Sequence, residues 1–175
     1  MDDFKVVSVI KMPKVDLDKS WSKSSAKNFK RNFNQARQIG VTKAATALQE
    51  GLYQALKSPQ WSWPRDTKRV NGTTAGTVRD IYDTGTLYAS QKVRESHQVT
   101  QSKLTVSYSA PHAALVHYGG VVRPYGNKNA ADVLIPARPW VEAVINGTYG
   151  QEQVNVGLMV VEEIKKIMGE WVTTQ

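Results

Sequence analysis

The stretch Tyr108–Gly120, "YSAPHAALVHYGG", carries two of the chain's three histidines. Either His112 and His117 do chemistry here, or the segment is a structural corner, and the fold follows from which reading holds. Its first residues close an alternating run, "KLTVSY", in which Leu104, Val106 and Tyr108 share one face of a strand. Pro111 fixes φ where a short helix begins and lacks the N–H that would be orphaned there. Ala113 and Ala114 leave room for close packing, and Gly119-Gly120 ends the helix. His112 and His117 are five apart, so on a helix they point roughly 140° from one another, whereas helical zinc pairs use a spacing of four. No acid lies between Glu95 and Asp132 to orient an imidazole locally, and His97 reads as a turn residue. The segment therefore reads as a strand-to-helix corner. His117 and Tyr118 end the helix, where a cation favours the free carbonyls.

A second corner follows at Ile135–Trp140, "IPARPW". Pro136 and Pro139 each fix φ, and Pro139 pushes Arg138 into an extended geometry, so Arg138 is expected as a rigid fork held out for a carboxylate or carbonyl. Pro139 also suits the first position of a helix reaching Asn146, with Trp140, Val141, Val144 and Ile145 on its apolar side. Between the corners, "VVRPYGNKNAADVLIPA" reads as two extended segments around a polar loop. Before them, "KVRESHQVTQSKLTVSYS" reads as a strand pair, and "DTGTLYASQ" as a short helix with Asp83 as its N-cap.

Further out, Phe4 to Met12 reads as a strand ending before Pro13, followed by a polar linker over 13–25. From about Ala26 to Lys57 the apolar residues Phe29, Phe33, Ala36, Gly40, Ala44, Ala47 or Leu48, Leu52, Ala55 and Leu56 recur at helical spacing, with Gly40 placed to bend or split the helix. Residues 58–81 break all periodicity and read as a long loop, in which Trp61 and Trp63 argue against full disorder and dock on the core or on a neighbour. At the C-terminal end Val154, Gly157, Val160, Val161, Ile164, Ile167, Met168 and Trp171 mark an amphipathic helix, with Glu162 and Lys166 paired across a turn. The expected fold is α+β: a small antiparallel sheet packed against a long helix of the N-terminal half and a C-terminal helix, with long loops, in a single domain over 1–175.

The 175 residues suffice for one sizeable core. Cysteine is absent, which excludes a disulfide framework, a thiolate metal site and a cysteine nucleophile. The N-terminus reads as free of a secretion signal, and no apolar run approaches a membrane span. The net charge is +8. Lys19, Lys23, Lys27, Lys30, Arg31, Arg37 and Lys43 form a basic run without an acid, a solvated helix face or a contact for nucleic acid or an acidic protein. Asp83-Thr84-Gly85 is the tripeptide of aspartic proteases, but the mixed "DIY" before it is a poor supporting strand, and no second apolar run suits the loop. Phosphate-binding glycine loops and dinucleotide fingerprints are missing. No catalytic, metal or cofactor residue is assigned.

Taken in order, the motifs resemble a family. Asp83, Thr84, Gly85, Leu87 and Ser90, then Tyr108, Ala110, Pro111, Val116 and Gly119, then Pro136, Ala137, Arg138, Pro139 and Trp140 follow the "D-T-G-x-L-x-x-S", "Y-A…G" and "P-A-R-P-(aromatic)" order. That order is similar to the tail-completion and head-to-tail joining proteins of tailed bacteriophages. The resemblance covers about residues 80 to 146. It departs from the family at the inserted Ser109 and at His117-Tyr118, where an acidic and an aromatic residue are usual. It implies a non-enzymatic structural protein of the virion neck, made in the host cytoplasm. Such a subunit closes a ring of sixfold symmetry and contacts other neck and tail proteins, close to DNA. Asp83, Gly85, Leu87, Tyr108, Pro111, Gly119, Pro136, Arg138, Pro139 and Trp140 would form its assembly motif. The expected partner contacts are Trp21, Trp61 and Trp63 on irregular arms, with the basic Lys27, Lys30 and Arg31.

Overall fold

A computed structural model describes residues 4–11, 22–69, 72–98, 101–123 and 131–173. The chain is an α+β protein with a long helix, a C-terminal helix and small antiparallel sheets. In chain order the elements are β1 (Phe4–Lys11), α1 (Lys23–Lys57), β2 (Trp61–Ser62), β3 (Thr67–Lys68), β4 (Thr74–Ala75), β5 (Val78–Arg79), α2 (Thr86–Ala89), β6 (Gln91–His97), β7 (Gln101–Tyr108), α3 (Ala113–Tyr118), β8 (Gly120–Val122), β9 (Val133–Ile135), α4 (Trp140–Asn146) and α5 (Val156–Thr173). The strand order in the main sheet is β1-β7-β6, and β2-β5, β3-β4 and β8-β9 form three two-stranded ladders. Residues group into two compact units, one of Met1–Val6, Glu50–Lys92 and Val106–Gln153, the other of Val7–Gln49, Val93–Thr105 and Val154–Gln175.

The second unit is built on a close helix pair. Helix α1 begins at Lys23, three residues before the apolar periodicity starts, because the Ser22 hydroxyl accepts the Ser25 N–H at 3.1 Å and caps the first turn. Gly40 does not split α1, which runs through it as one helix. It is buried, and a Cβ there would come within 2.9 Å of the Val160 Cα on α5, so glycine is what lets the two helices approach. Ala36, Val41, Ala44, Ala45 and Leu48 of α1 are buried in this unit, as are Val156 and Val160 of α5. Val161, expected on the apolar face of α5, is 42 % exposed. Lys43 pairs with Glu163 at 2.6 Å. Arg37, expected on a solvated basic face, is instead buried and donates to the Gln98 carbonyl at 2.7 Å. Gln98 N–H in turn donates to the Gln101 carbonyl, closing the β6–β7 hairpin. His97 lies at the end of β6 rather than in the turn, near Ser102 and Glu95.

In the first unit the described residues of 58–81 form two short ladders where the sequence reads as a long loop. Trp61 pairs with Arg79 and Ser62 with Val78, and inside that ladder Thr67 pairs with Ala75 and Lys68 with Thr74. The strands are two residues long, too short for any alternation of side chains to register as a period. This double hairpin is tied to the end of α1, whose last carbonyls have no partner within the helix. The Ile81 and Tyr82 N–H groups both donate to the Leu56 carbonyl, and the Trp61 Nε1–H donates to the Ala55 carbonyl at 2.9 Å. Trp61 is therefore a core residue, 2 % exposed, and not a contact held out for a partner.

Candidate functional site

The two corners meet in the first unit, backbone to backbone. The Arg138 N–H donates to the carbonyls of Val116 and His117, both at 3.1 Å. A Cβ on Gly119 would fall 2.7 Å from the Ala137 nitrogen and 2.7 Å from the Ile135 oxygen, and Gly119 has φ of +71°. Both the conformation and the approach require glycine at that position. Pro111 lies exposed in the turn before α3, and Pro136 and Pro139 are half-buried around Arg138.

Around this junction is an aromatic box. Trp140 opens α4 and is wholly buried. Its ring stands edge-on to Tyr108 at 5.4 Å and to His117 at 4.6 Å, and Phe4 closes the box at 4.7 Å from His117. The Tyr108 hydroxyl donates to Gln91 Oε1 at 3.2 Å, and burial raises its pKa. His117 is 1 % exposed. Its Nε2 lies 2.7 Å from Glu142 Oε2, close but not aligned for a hydrogen bond, and Nδ1 has no hydrogen-bond partner among the described residues. Burial pushes the His117 pKa down, with Glu142 opposing. His117 does end α3, as its place in the sequence suggests, but its ring is buried in the box rather than free at the helix end, and burial acts against its charged form. The sequence reading missed Glu142, which α4 delivers from 25 residues beyond His117.

The same unit holds a cleft of about 160 Å³ lined by Thr67, Lys68, Arg69, Arg79, Asp80, Ile81, Tyr82, Asp83 and Arg138. The double hairpin supplies Thr67, Lys68, Arg69 and Arg79, and the chain leaving it supplies Asp80 to Asp83. Arg69 is fixed by Asp80 Oδ1 at 2.6 Å and by the Tyr82 carbonyl, and Arg79 donates to the Thr67 hydroxyl. Trp63 is half-buried, with the Arg138 guanidinium 4.0 Å and the Arg79 guanidinium 4.4 Å from its ring. Arg138 is not held out in solvent as expected. It is 6 % exposed, and its Nε and Nη2 have no hydrogen-bond partner among the described residues. Burial and the Arg79 charge bring its pKa down to about 10, and burial and the Arg69 charge lower that of Arg79. The cleft presents fixed N–H donors and an excess of positive charge.

Asp83 borders this cleft but is not a helix cap. Helix α2 begins after Gly85, which takes the N-cap place with φ of +79°, and no side chain caps it. Asp83 is exposed. Leu87 is buried beside a smaller hollow whose lining includes Gly85 and His112. Lys27, Lys30 and Arg31 are exposed on α1, and Trp21 lies outside the described residues.

The structure thus brings Tyr108, Gly119 and Trp140 together around His117, and Asp83 and Arg138 together at the cleft. Arg69 and Arg79 went unnoticed in the sequence. Their one signal was the glycine-rich, Thr- and Val-flanked "RVNGTTAGTVR" between them, which suits a hairpin. Among the described residues no group of three or more His, Cys, Asp or Glu could hold a metal ion, and no helix is long and apolar enough to cross a membrane. Comparison with protein-family models, curated proteins and solved structures gives no match.

Proposed function

We propose that the chain is a structural virion protein of a tailed bacteriophage, one subunit of a ring at the head-tail neck that completes the tail or joins it to the head. The motif order over residues 80 to 146 suggests the family. The observation that carries an assembly role is the β8–β9 ladder. Val121 and Leu134 stand directly opposite each other in its register, so they share one face, and each is 63 % exposed. Tyr118, just before β8, is 64 % exposed. A cross-strand apolar pair facing solvent fits a surface that a second copy covers. In a ring such a contact is heterologous and closes by rotation. Lys27, Lys30 and Arg31 add a cationic face suited to acidic surfaces on other neck proteins.

The test is electron microscopy of purified particles whose copy of this chain carries a gold-binding tag. Label at the junction of head and tail is the expected result. Particles free of the chain, or labelled elsewhere, overturn the proposal. A Val121→Lys/Leu134→Lys variant should fold with unchanged melting yet fail to enter particles.

A further inference from the structure

We propose that the cleft walled by Arg69, Arg79 and Arg138 is a binding site for a doubly charged phosphate group. The proposal is independent of the neck reading. It starts from a buried polar side chain without a partner. Arg138 lines the cleft, is 6 % exposed and leaves Nε and Nη2 unbonded among the described residues. A buried guanidinium without a counter-charge is costly, and arginine cannot escape the cost by shedding its proton near neutral pH. The ring of Trp63 offsets part of this by facing the cation, but an aromatic face supplies no acceptor for the N–H donors.

The second observation is the crowding of like charges. Arg79 sits over the same indole as Arg138 and is pinned through Thr67, while Arg69 is pinned through Asp80 and Tyr82. Lys68 joins the lining. Four cations against Asp80 and Asp83 leave a surplus of two positive charges, counted on the lining residues. Asp80 is already engaged by Arg69. Arg79 also feels Asp66 and Asp83, so the unmet charge centres on Arg138, and burial and neighbouring arginine charge lower the pKa of both arginines. One dianion balances two guanidiniums, and a phosphate accepts from several N–H forks at once, which a single carboxylate does less well. Because the donors are anchored before any ligand arrives, little side-chain freedom is lost on binding.

The source of the phosphate is open to the same experiment: free phosphate, or the terminal phosphate of a monoester. The full chain is titrated with inorganic phosphate, with a phosphate monoester and with acetate, at constant ionic strength, by calorimetry and by melting temperature. Saturable binding of phosphate or the monoester, raising the melting temperature as ligand linkage requires, is the expected result, and the tighter of the two identifies the source. Arg138→Gln and Arg79→Gln should each weaken binding about tenfold or more. Lys23→Gln, on α1, should leave it unchanged. Two variants are used because loss of a fold in one would still leave the other informative, and circular dichroism checks both. The proposal is overturned if phosphate shows no saturable binding up to about 10 mM. It is equally overturned if acetate binds as tightly as phosphate, or if both folded variants bind like the parent chain.

Discussion

His117 and Arg138 are both buried bases packed against a tryptophan, Trp140 for the one and Trp63 for the other. They meet burial in opposite ways. The imidazole has a neutral form within reach, so burial lowers its pKa and the ring becomes one wall of an aromatic box. The guanidinium is brought down only to about 10 and stays charged near neutral pH. One environment has absorbed its base into the core, while the other keeps a cation waiting for a counter-charge. The contrast separates structure from binding on physical grounds, because a base that can discharge stores no demand for a ligand.

The largest effect is expected from breaking the box. Trp140 is wholly buried and touches Phe4, Tyr108 and His117. Trp140→Ala should cost roughly 3–5 kcal/mol of unfolding free energy, read from a denaturant titration. The vacated space should also let water reach His117, moving its NMR titration back up toward the ordinary histidine range. Unchanged stability would mean that the box is not what holds this unit together.

What was legible in the sequence and what was not follows the same division. Long periodic elements were readable: α1, α5 and the faces of β7 carry enough repeats to show which side is apolar. The corners were readable because proline and glycine act locally, and Gly119 and Pro139 sit where the chain turns. The cleft was not. Its arginines lie in strands of two residues, where pairing rather than periodicity fixes the side-chain directions. Arg138 joins them from 59 residues beyond Arg79, by way of a stacking contact that no spacing rule encodes. Gly40 was misread for a related reason. From sequence alone a glycine in a helix looks like a weak point, and only the neighbouring Val160 backbone reveals it as a contact.

A smaller, pH-dependent effect should come from His117 itself. Its folded-state pKa is lowered by burial, so the unfolded chain binds more protons and stability rises with pH. This contribution is complete above the unfolded histidine value of about 6.5 and is lost as pH falls from there through the folded-state value. Thermal unfolding of the parent chain from neutral to mildly acidic pH should therefore show falling melting temperatures, and His117→Phe should flatten that part of the profile. A parent profile that rises on acidification would show that the Glu142 pair outweighs burial, making His117 a buried cation like Arg138.

The smallest effect is expected at Asp83, and it separates the local chemistry of the "DTG" turn from the charge of the cleft. A true N-cap aspartate is worth about 1 kcal/mol when replaced by alanine. Asp83 does not hold that position. Gly85 does, and the Thr84 hydroxyl reaches the Thr86 N–H only at 3.4 Å while pairing with the Thr86 hydroxyl at 2.7 Å. Asp83 is exposed, so Asp83→Ala should change stability by no more than about 0.5 kcal/mol. Its carboxylate nevertheless lines the cleft and favours the charged form of Arg79. Removing it increases the positive surplus around Arg79 and Arg138, so phosphate affinity should rise, by less than about tenfold given screening near the surface. Asp83→Asn should behave the same way, since it removes the charge and keeps the shape. A loss near 1 kcal/mol in Asp83→Ala that Asp83→Asn restores would return the residue to a capping role. Weaker phosphate binding in both would show that the charge count of the cleft is wrong.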